Sequence, residues 1–351
     1  MNEIQTLRWN TLKNIGVPFS VVKDKVRDIY NINIDEVNIS DFLENISMKY
    51  SQIDIDQLLF HLEEYSFKKM FIFSVKDKVI EELCTDILKE EFMVRNRIKG
   101  LYDNEQLAGI NEDMSCVYVS EKDKYFIIKM AQRKIVEEEE MLETGCIGYK
   151  QYEYYDFVKF VVDLNESLLF MFVNDFYSKA CYGNSSAKAI TNKKSAFYNL
   201  FLNGNQASLM KYGMEDALNK YVLDFFQNLV DENGEFKEFG EVENNISRKI
   251  TIIETEDPID TKNNLRSSER DSRHNKYRLQ AINYALQNEE HCVKMIECII
   301  GSRIIIFKSS GEIILQGPFL GMEVISNVCK EVFPRYKLPE YESEGSRENL
   351  I

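Results

Sequence analysis

The sequence predicts an α+β protein laid out in successive units. A mainly helical unit covers residues 1–105, a mixed unit of antiparallel hairpins and helices covers 106–245, and an antiparallel sheet with two helices covers 246–336. An acidic, mobile tail, 337–351, follows. Three observations carry this division. Apolar residues recur at three- and four-residue spacing through the first hundred positions. The middle of the chain switches to short apolar runs broken by polar turns. The last third runs strand, helix, three strand-like segments, helix.

In the first unit the helical period is clearest in SVVKDKVRDIY, ISDFLENISM and DIDQLLFHLEEYSFKKMFIF. The stretch Asn38–Asp41 supplies capping chemistry for the second of these, and Asp54 or Asp56 for the third. A further helix is expected from Lys76 to Phe92, and the loss of periodicity around Arg95–Asn104, with Gly100, marks a boundary near residue 105. In the middle unit, CVYVSEKDKYFIIKM reads as a hairpin turning at Glu121–Lys124, and FVKFVVDLNESLLFMFV as one turning at Leu164–Ser167. Between them RKIVEEEEMLE reads as a charged helix whose glutamates face solvent. Consecutive helical residues diverge, so Glu137–Glu140 do not converge on one cation. Two helices follow, over Ala187–Leu202 and Met214–Val230. In the last unit KITIIE, CVKMIECII, RIIIFK and EIILQG read as strands, and HNKYRLQAINYALQ and MEVISNVCKEVF as helices.

Lys+Arg 43 against Asp+Glu 58 gives a formal net charge of -15, which excludes a protein that coats nucleic acid or anionic membrane non-specifically. The 44% hydrophobic and 29% charged content describes a globular chain with cores to bury. The opening residues lack the apolar run of a signal peptide, and the longest apolar run, Ser167–Val173, is strand-sized. The 7 cysteines are scattered without a CxxC pair and read as free thiols, so the expected compartment is the cytoplasm, with no membrane partner.

Neither a GxxxxGK[ST] loop, nor GxGxxG, nor GxSxG, nor HExxH is present. His291, Cys292 and Cys298 fall short of a four-ligand zinc set, and Glu254, Glu256, Asp257 and Asp163 lack the acidic-x-lysine step of many metal-dependent nucleases. No catalytic residue, metal site or cofactor is therefore assigned. Arg266, Arg270 and Arg273 precede His274 in RSSERDSRHNKYR, and an arginine followed after a short spacing by histidine resembles the active-site motif of small helical ribonucleases, here within a polar stretch. The clearest local feature is a basic island. Between Thr261 and Gln280, Lys262, Arg266, Arg270, Arg273, Lys276 and Arg278 outnumber Glu269 and Asp271. Such an island can grip phosphates while the surrounding acid prevents indiscriminate adhesion.

The segment RIIIFKSSGEIILQGPF carries aliphatics at Ile304–Ile306, an aromatic at Phe307, the pair Ser310–Gly311, aliphatics at Ile313–Leu315 and Gly317. This pattern resembles the TATA-binding-protein fold, as in the N-terminal domain of type-three bacterial ribonuclease H. The resemblance covers about a quarter of the chain, and it departs from the family at Glu312, where lysine is usual, in an extra turn residue, and at Glu290–His291, where a second aromatic is expected. It implies a sheet face that contacts nucleic acid, with Phe307 as a wedge between bases and Arg303 and Lys308 beside it.

The expected function is non-catalytic recognition, with the last unit binding DNA, RNA or a protein partner. The alternatives are a nuclease, or an acidic subunit of a larger assembly matched to a basic protein. The abundance of Ile, Asn, Lys and Tyr suits the AT-rich genome of a low-GC bacterium, a phage or a large DNA virus, which brings antiviral defence within range.

Overall fold

A computed structural model describes residues 1–64, 67–75, 77–141, 147–165, 167–174, 187–202, 209–211, 214, 216–221, 246–254, 261–263, 291–300 and 303–316. The chain divides into two compact units. The first comprises Met1–Tyr212 with Glu312–Phe319, and the second Gly213–Gly311 with Leu320–Ile351. Helices and an antiparallel sheet make up the first unit, as an α+β sequence should.

Four helices open it: α1 (Glu3–Ile15), α2 (Phe19–Tyr30), α3 (Ile39–Lys49) and α4 (Ile55–Glu64). Helix α1 starts in a capping box, with Asn2 accepting from the Gln5 N–H at 2.9 Å and Gln5 accepting from the Asn2 N–H at 3.0 Å. It stops at Gly16, whose φ of 75° only glycine adopts freely. Asn38 caps α3 as its position in the sequence implies. The inward faces of the four helices enclose one apolar core built on Trp9, Leu12, Val22, Phe42, Ile46 and Leu59.

The sheet of the first unit runs β2 (Ser115–Lys122), β3 (Tyr125–Met141), β4 (Ile147–Asp163), β5 (Leu168–Asn174), β1 (Phe67–Val75), all antiparallel. The far edge of β1 is shared: Lys69–Phe71 pair with β11 (Glu312–Gln316), and Phe73–Val75 with β6 (Leu209–Lys211). One face packs Phe73, Ile128, Phe160 and Met171 under α5 (Asp77–Cys84), α6 (Asp86–Arg95) and α7 (Ala187–Leu202), which contribute Leu83, Phe92 and Phe197.

Both hairpins turn where the sequence places them. Asp123 at φ 54° closes β2–β3 and Ser167 at φ 52° closes β4–β5. Three segments differ from expectation. The helical reading of DIDQLLFHLEEYSFKKMFIF holds only to Glu64, because Phe71, Phe73 and Val75 alternate with Met70, Ile72 and Ser74 and both sets are buried or nearly so in a central strand. The expected helix Lys76–Phe92 is two helices, broken at Thr85 and extended to Arg95. The charged stretch RKIVEEEEM is strand, not helix. Glutamate favours helix, but pairing along all 17 residues of β4, rich in tyrosine and valine, outweighs that preference.

β5 pairs with β4 only from Val158 onward, which would leave the rest of that edge unbonded. Helix α1 covers part of it. Thr11 Oγ1 donates to the Tyr155 C=O at 2.8 Å and accepts from the Tyr155 N–H at 2.9 Å, while Asn10 donates to the Glu153 C=O at 2.7 Å. Thr11→Val keeps the shape and orphans both backbone groups of a buried residue. We expect a loss of about 1–3 kcal/mol, read as a lower urea midpoint, with Thr11→Ser restoring most of it.

In the second unit the strand order is β8 (Thr261–Asn263), β7 (Ile246–Glu254), β9 (His291–Ile300), β10 (Arg303–Lys308), again antiparallel. The Ser-Gly turn forms as predicted. Gly311 donates to the Lys308 C=O at 2.9 Å with φ 87°, and β11 begins at the next residue. The two helices expected at 274–287 and 322–333, the helix beyond Tyr221 and the tail lie outside the described residues. Among the described residues, no helix is long and apolar enough to cross a membrane.

Candidate functional site

Two arrangements of charge stand out, one inside the first unit and one on the sheet of the second.

The first is a buried quartet. Arg8 on α1 reaches Glu63 on α4 through Nε at 2.5 Å and Nη2 at 3.0 Å, and reaches Glu105 through Nη2 at 3.0 Å. Lys129, in the middle of β3, bonds to Glu63 and, at 2.6 Å, to Glu105. Its ammonium also stands 4.4 Å from the Phe157 ring centre and 4.9 Å from that of Phe60. Arg8, Glu63 and Lys129 are buried, and Glu105 is nearly so. Glu105 is carried there by a segment that runs along the outer edge of β2, with Asp103 and Gln106 donating to the Val119 and Val117 carbonyls at 2.8 and 2.9 Å.

Two cations and two carboxylates balance, and each carboxylate is shared by both cations. Burial opposes the Arg8 charge, but Glu63 and Glu105 outweigh it and raise its pKa. Burial likewise pushes Glu105 upward, and Lys129 with Arg8 overcome it, holding the carboxyl below its ordinary range. The chemistry is that of a clamp joining α1, α4, the Glu105 segment and β3. A second buried pair, Lys193 on α7 with Asp156 on β4 at 2.7 Å, ties the opposite layer to the sheet. The sequence did carry a signal for these groups: Lys129 sits inside FIIKMA and Asp156 inside YYDFV, each a lone charge in an apolar run.

The second arrangement lies on the sheet of the second unit. Lys262 on β8 is opposite Thr251, Thr251 is opposite Met295, and Met295 is opposite Lys308. These four form one cross-strand row, so both lysines belong to the same face. Two residues along β7, the next row of that face holds Lys249, Glu297 and Ile306. At ~4.8 Å per strand, Lys262 and Lys308 are about 14 Å apart across the sheet.

Of the residues singled out from sequence, Lys262 and Lys308 are thus brought into one row. Arg303 and Phe307 fall on the opposite face by register. Phe307 is 0% exposed, as is Ile305 two residues before it. Ile306, on the face of the lysine row, is also buried, at 8%. Arg266, Arg270, Arg273, Lys276 and Arg278, and His274 with them, lie outside the described residues.

The residues weighed for metal or catalytic chemistry do not assemble. Glu254 and His291 are cross-strand partners, with Ile253 opposite Cys292, while Glu256 and Asp257 lie outside the described residues. Asp163 is committed to the β4–β5 turn, paired with Lys124 at 2.8 Å and accepting from the Asn165 N–H at 3.1 Å. No group of three or more His, Cys, Asp or Glu side chains able to hold a metal occurs among the described residues. Cys84 and Cys116 are free thiols, and burial pushes the Cys116 thiol up to about 12, which makes it a poor nucleophile at neutral pH. No protein-family model matches the chain, and no curated protein matches it significantly.

Proposed function

We propose that this chain is a non-catalytic recognition protein whose second unit binds nucleic-acid backbone along the lysine row of its sheet. The observation that carries the reading is the register placing Lys262 and Lys308 on one face, with Lys249 one row away. A span of about 14 Å covers roughly four nucleotide steps of ~3.4 Å. In the sequence the basic run from Arg266 to Arg278 follows soon after β8, and we assign it to the same contact. Such a set grips phosphates without reading bases. The strongly acidic remainder, with a net charge of -15 for the chain, keeps binding confined to this face. A TATA-binding-protein-like arrangement of the last unit belongs to the proposal, since that fold also offers nucleic acid a sheet face.

The test is binding of fluorescent single-stranded and duplex oligonucleotides across a salt series. Wild type is expected to bind at low salt and to weaken steeply as salt rises. The double reversal Lys262→Glu with Lys308→Glu is expected to weaken binding at least about tenfold and to reduce the salt slope by roughly two, one for each phosphate no longer neutralised. Absence of binding at low salt, or an unchanged slope in the double variant, removes the proposal.

A further inference from the structure

The β3–β4 hairpin outruns the rest of its sheet. Pairing between β2 and β3 stops at Ala131, whereas β3 and β4 stay paired to Met141 and Ile147. Residues 133–141 and 147–155 therefore form a two-stranded arm whose outer edge on β3, beyond Arg133, is open among the described residues. The Arg133 N–H points out from that edge, to the Asn111 C=O at 2.6 Å. Strand alternation gives Ile135, Glu137, Glu139 and Met141 the same outward backbone direction. Among the described residues, no strand pairs with this edge beyond Ala131.

The arm also exposes apolar side chains. Ile135 is 54% exposed, Ile147 64% and Tyr149 69%. Register puts all three on one face, interleaved with Glu137 and Glu139, since Ile135 is opposite Glu153, Glu139 opposite Tyr149, and Met141 opposite Ile147. The other face is turned inward at its base, where Val136 and Tyr154 pack with Ile15 of α1. Soluble proteins normally blunt such an edge or use it.

We propose that this edge of β3 accepts an extended basic segment of another protein as an added antiparallel strand. The open backbone groups supply the hydrogen bonds of strand addition, and the exposed apolar residues supply pockets for alternate side chains. Charge selects the occupant. A second copy of this chain paired along the stretch beyond Arg133, whose own N–H is taken by Asn111, would set the glutamates of one arm against those of the other, and like charges directly opposite one another destabilise a sheet. Nucleic acid is repelled for the same reason. A strand carrying lysine or arginine opposite Glu137 and Glu139, with aliphatic residues between, satisfies edge, apolar face and charge together. This surface is separate from the lysine row, and its test reads a different segment.

The probe is an end-blocked peptide of alternating valine and lysine, compared with its valine–glutamate counterpart, on the full chain. Two readouts apply: fluorescence anisotropy, and amide exchange across residues 135–141. We expect the lysine peptide to bind at least about tenfold more tightly and to protect those amides. Glu137→Pro removes an outward N–H together with an exposed carboxylate that accepts from Gln151, so the fold as judged by circular dichroism is retained while binding is lost. Glu137→Lys with Glu139→Lys, which keeps every backbone donor, is expected to weaken binding at least about tenfold. Equal binding of both peptides, wild-type binding by the charge-reversed variant, or no protection of 135–141 overturns the proposal. Protection of those amides by self-association in sedimentation, or by oligonucleotide, overturns it equally.

Discussion

Glu63→Ala is expected to produce the largest loss of stability available from one substitution in the first unit. It removes a carboxylate shared by Arg8 and Lys129, so that within the quartet two buried cations share one carboxylate, Glu105. Breaking a buried ion network in this way costs about 3–5 kcal/mol, because the residual charge has no water to return to. A urea titration followed by far-ultraviolet circular dichroism measures it as a fall in midpoint. Replacing the whole quartet by apolar residues of similar volume is expected to cost far less, since it removes the desolvation penalty together with the attraction. The same network predicts the acid limb of stability. The pKa of Glu105 is depressed in the folded protein, so its contribution is fully present above the ordinary carboxylate value of 4.5 and is lost as pH falls through the lower folded value. Lys129→Met is expected to flatten that part of the midpoint-versus-pH curve. An unchanged acid limb in Lys129→Met would contradict the assignment.

Lys193→Met is the second substitution with a large expected effect, and it acts on the other layer. Asp156 is 1% exposed and loses its partner at 2.7 Å, which again costs about 3–5 kcal/mol for a buried pair broken on one side. One turn further along α7, Phe197 packs on Phe160 with ring centres 4.7 Å apart, so the helix has an apolar anchor that survives the substitution. The loss should therefore appear first as faster amide exchange within Ala187–Leu202, ahead of global unfolding. The double variant Asp156→Leu with Lys193→Met should recover most of it. If α7 exchange is unchanged in Lys193→Met, the pair does not hold the helix.

The elements legible in the sequence were those with local signals. Turns at Asp123 and Ser167, the Asn38 cap and the Gly311 turn depend on two to four neighbouring residues, and each is where its residues require it. The misread elements were decided by distant partners. FKKMFIF is a strand because β5 and β11 flank it on both edges, and the glutamates of β3 are extended because β4 pairs with them throughout. No window of ten residues contains that information. The buried charges were legible in part: Lys129 and Asp156 interrupt apolar runs, but the identity of the partners, Glu63 and Lys193, depends on packing between layers. The lysine row was half legible. Lys262 and Lys308 were recognised as basic positions, while their alignment required the ladder through Thr251 and Met295.

The pairing of β1 with β11 has a bearing on biosynthesis. Lys69 of β1 is partnered by Ile314, so β1 leaves the ribosome well before the strand that pairs with it. Until residues 312–316 emerge, Lys69–Phe71 present an unfilled edge on a nascent sheet whose other strands are already complete, and contacts this distant in the chain close slowly. A ribosome that stalls or terminates before Glu312 would release a polypeptide holding almost all of the first unit with that edge open. Chaperones that shield exposed strands, and proteases that clear incomplete products, would then find the Lys69–Phe71 edge open to them.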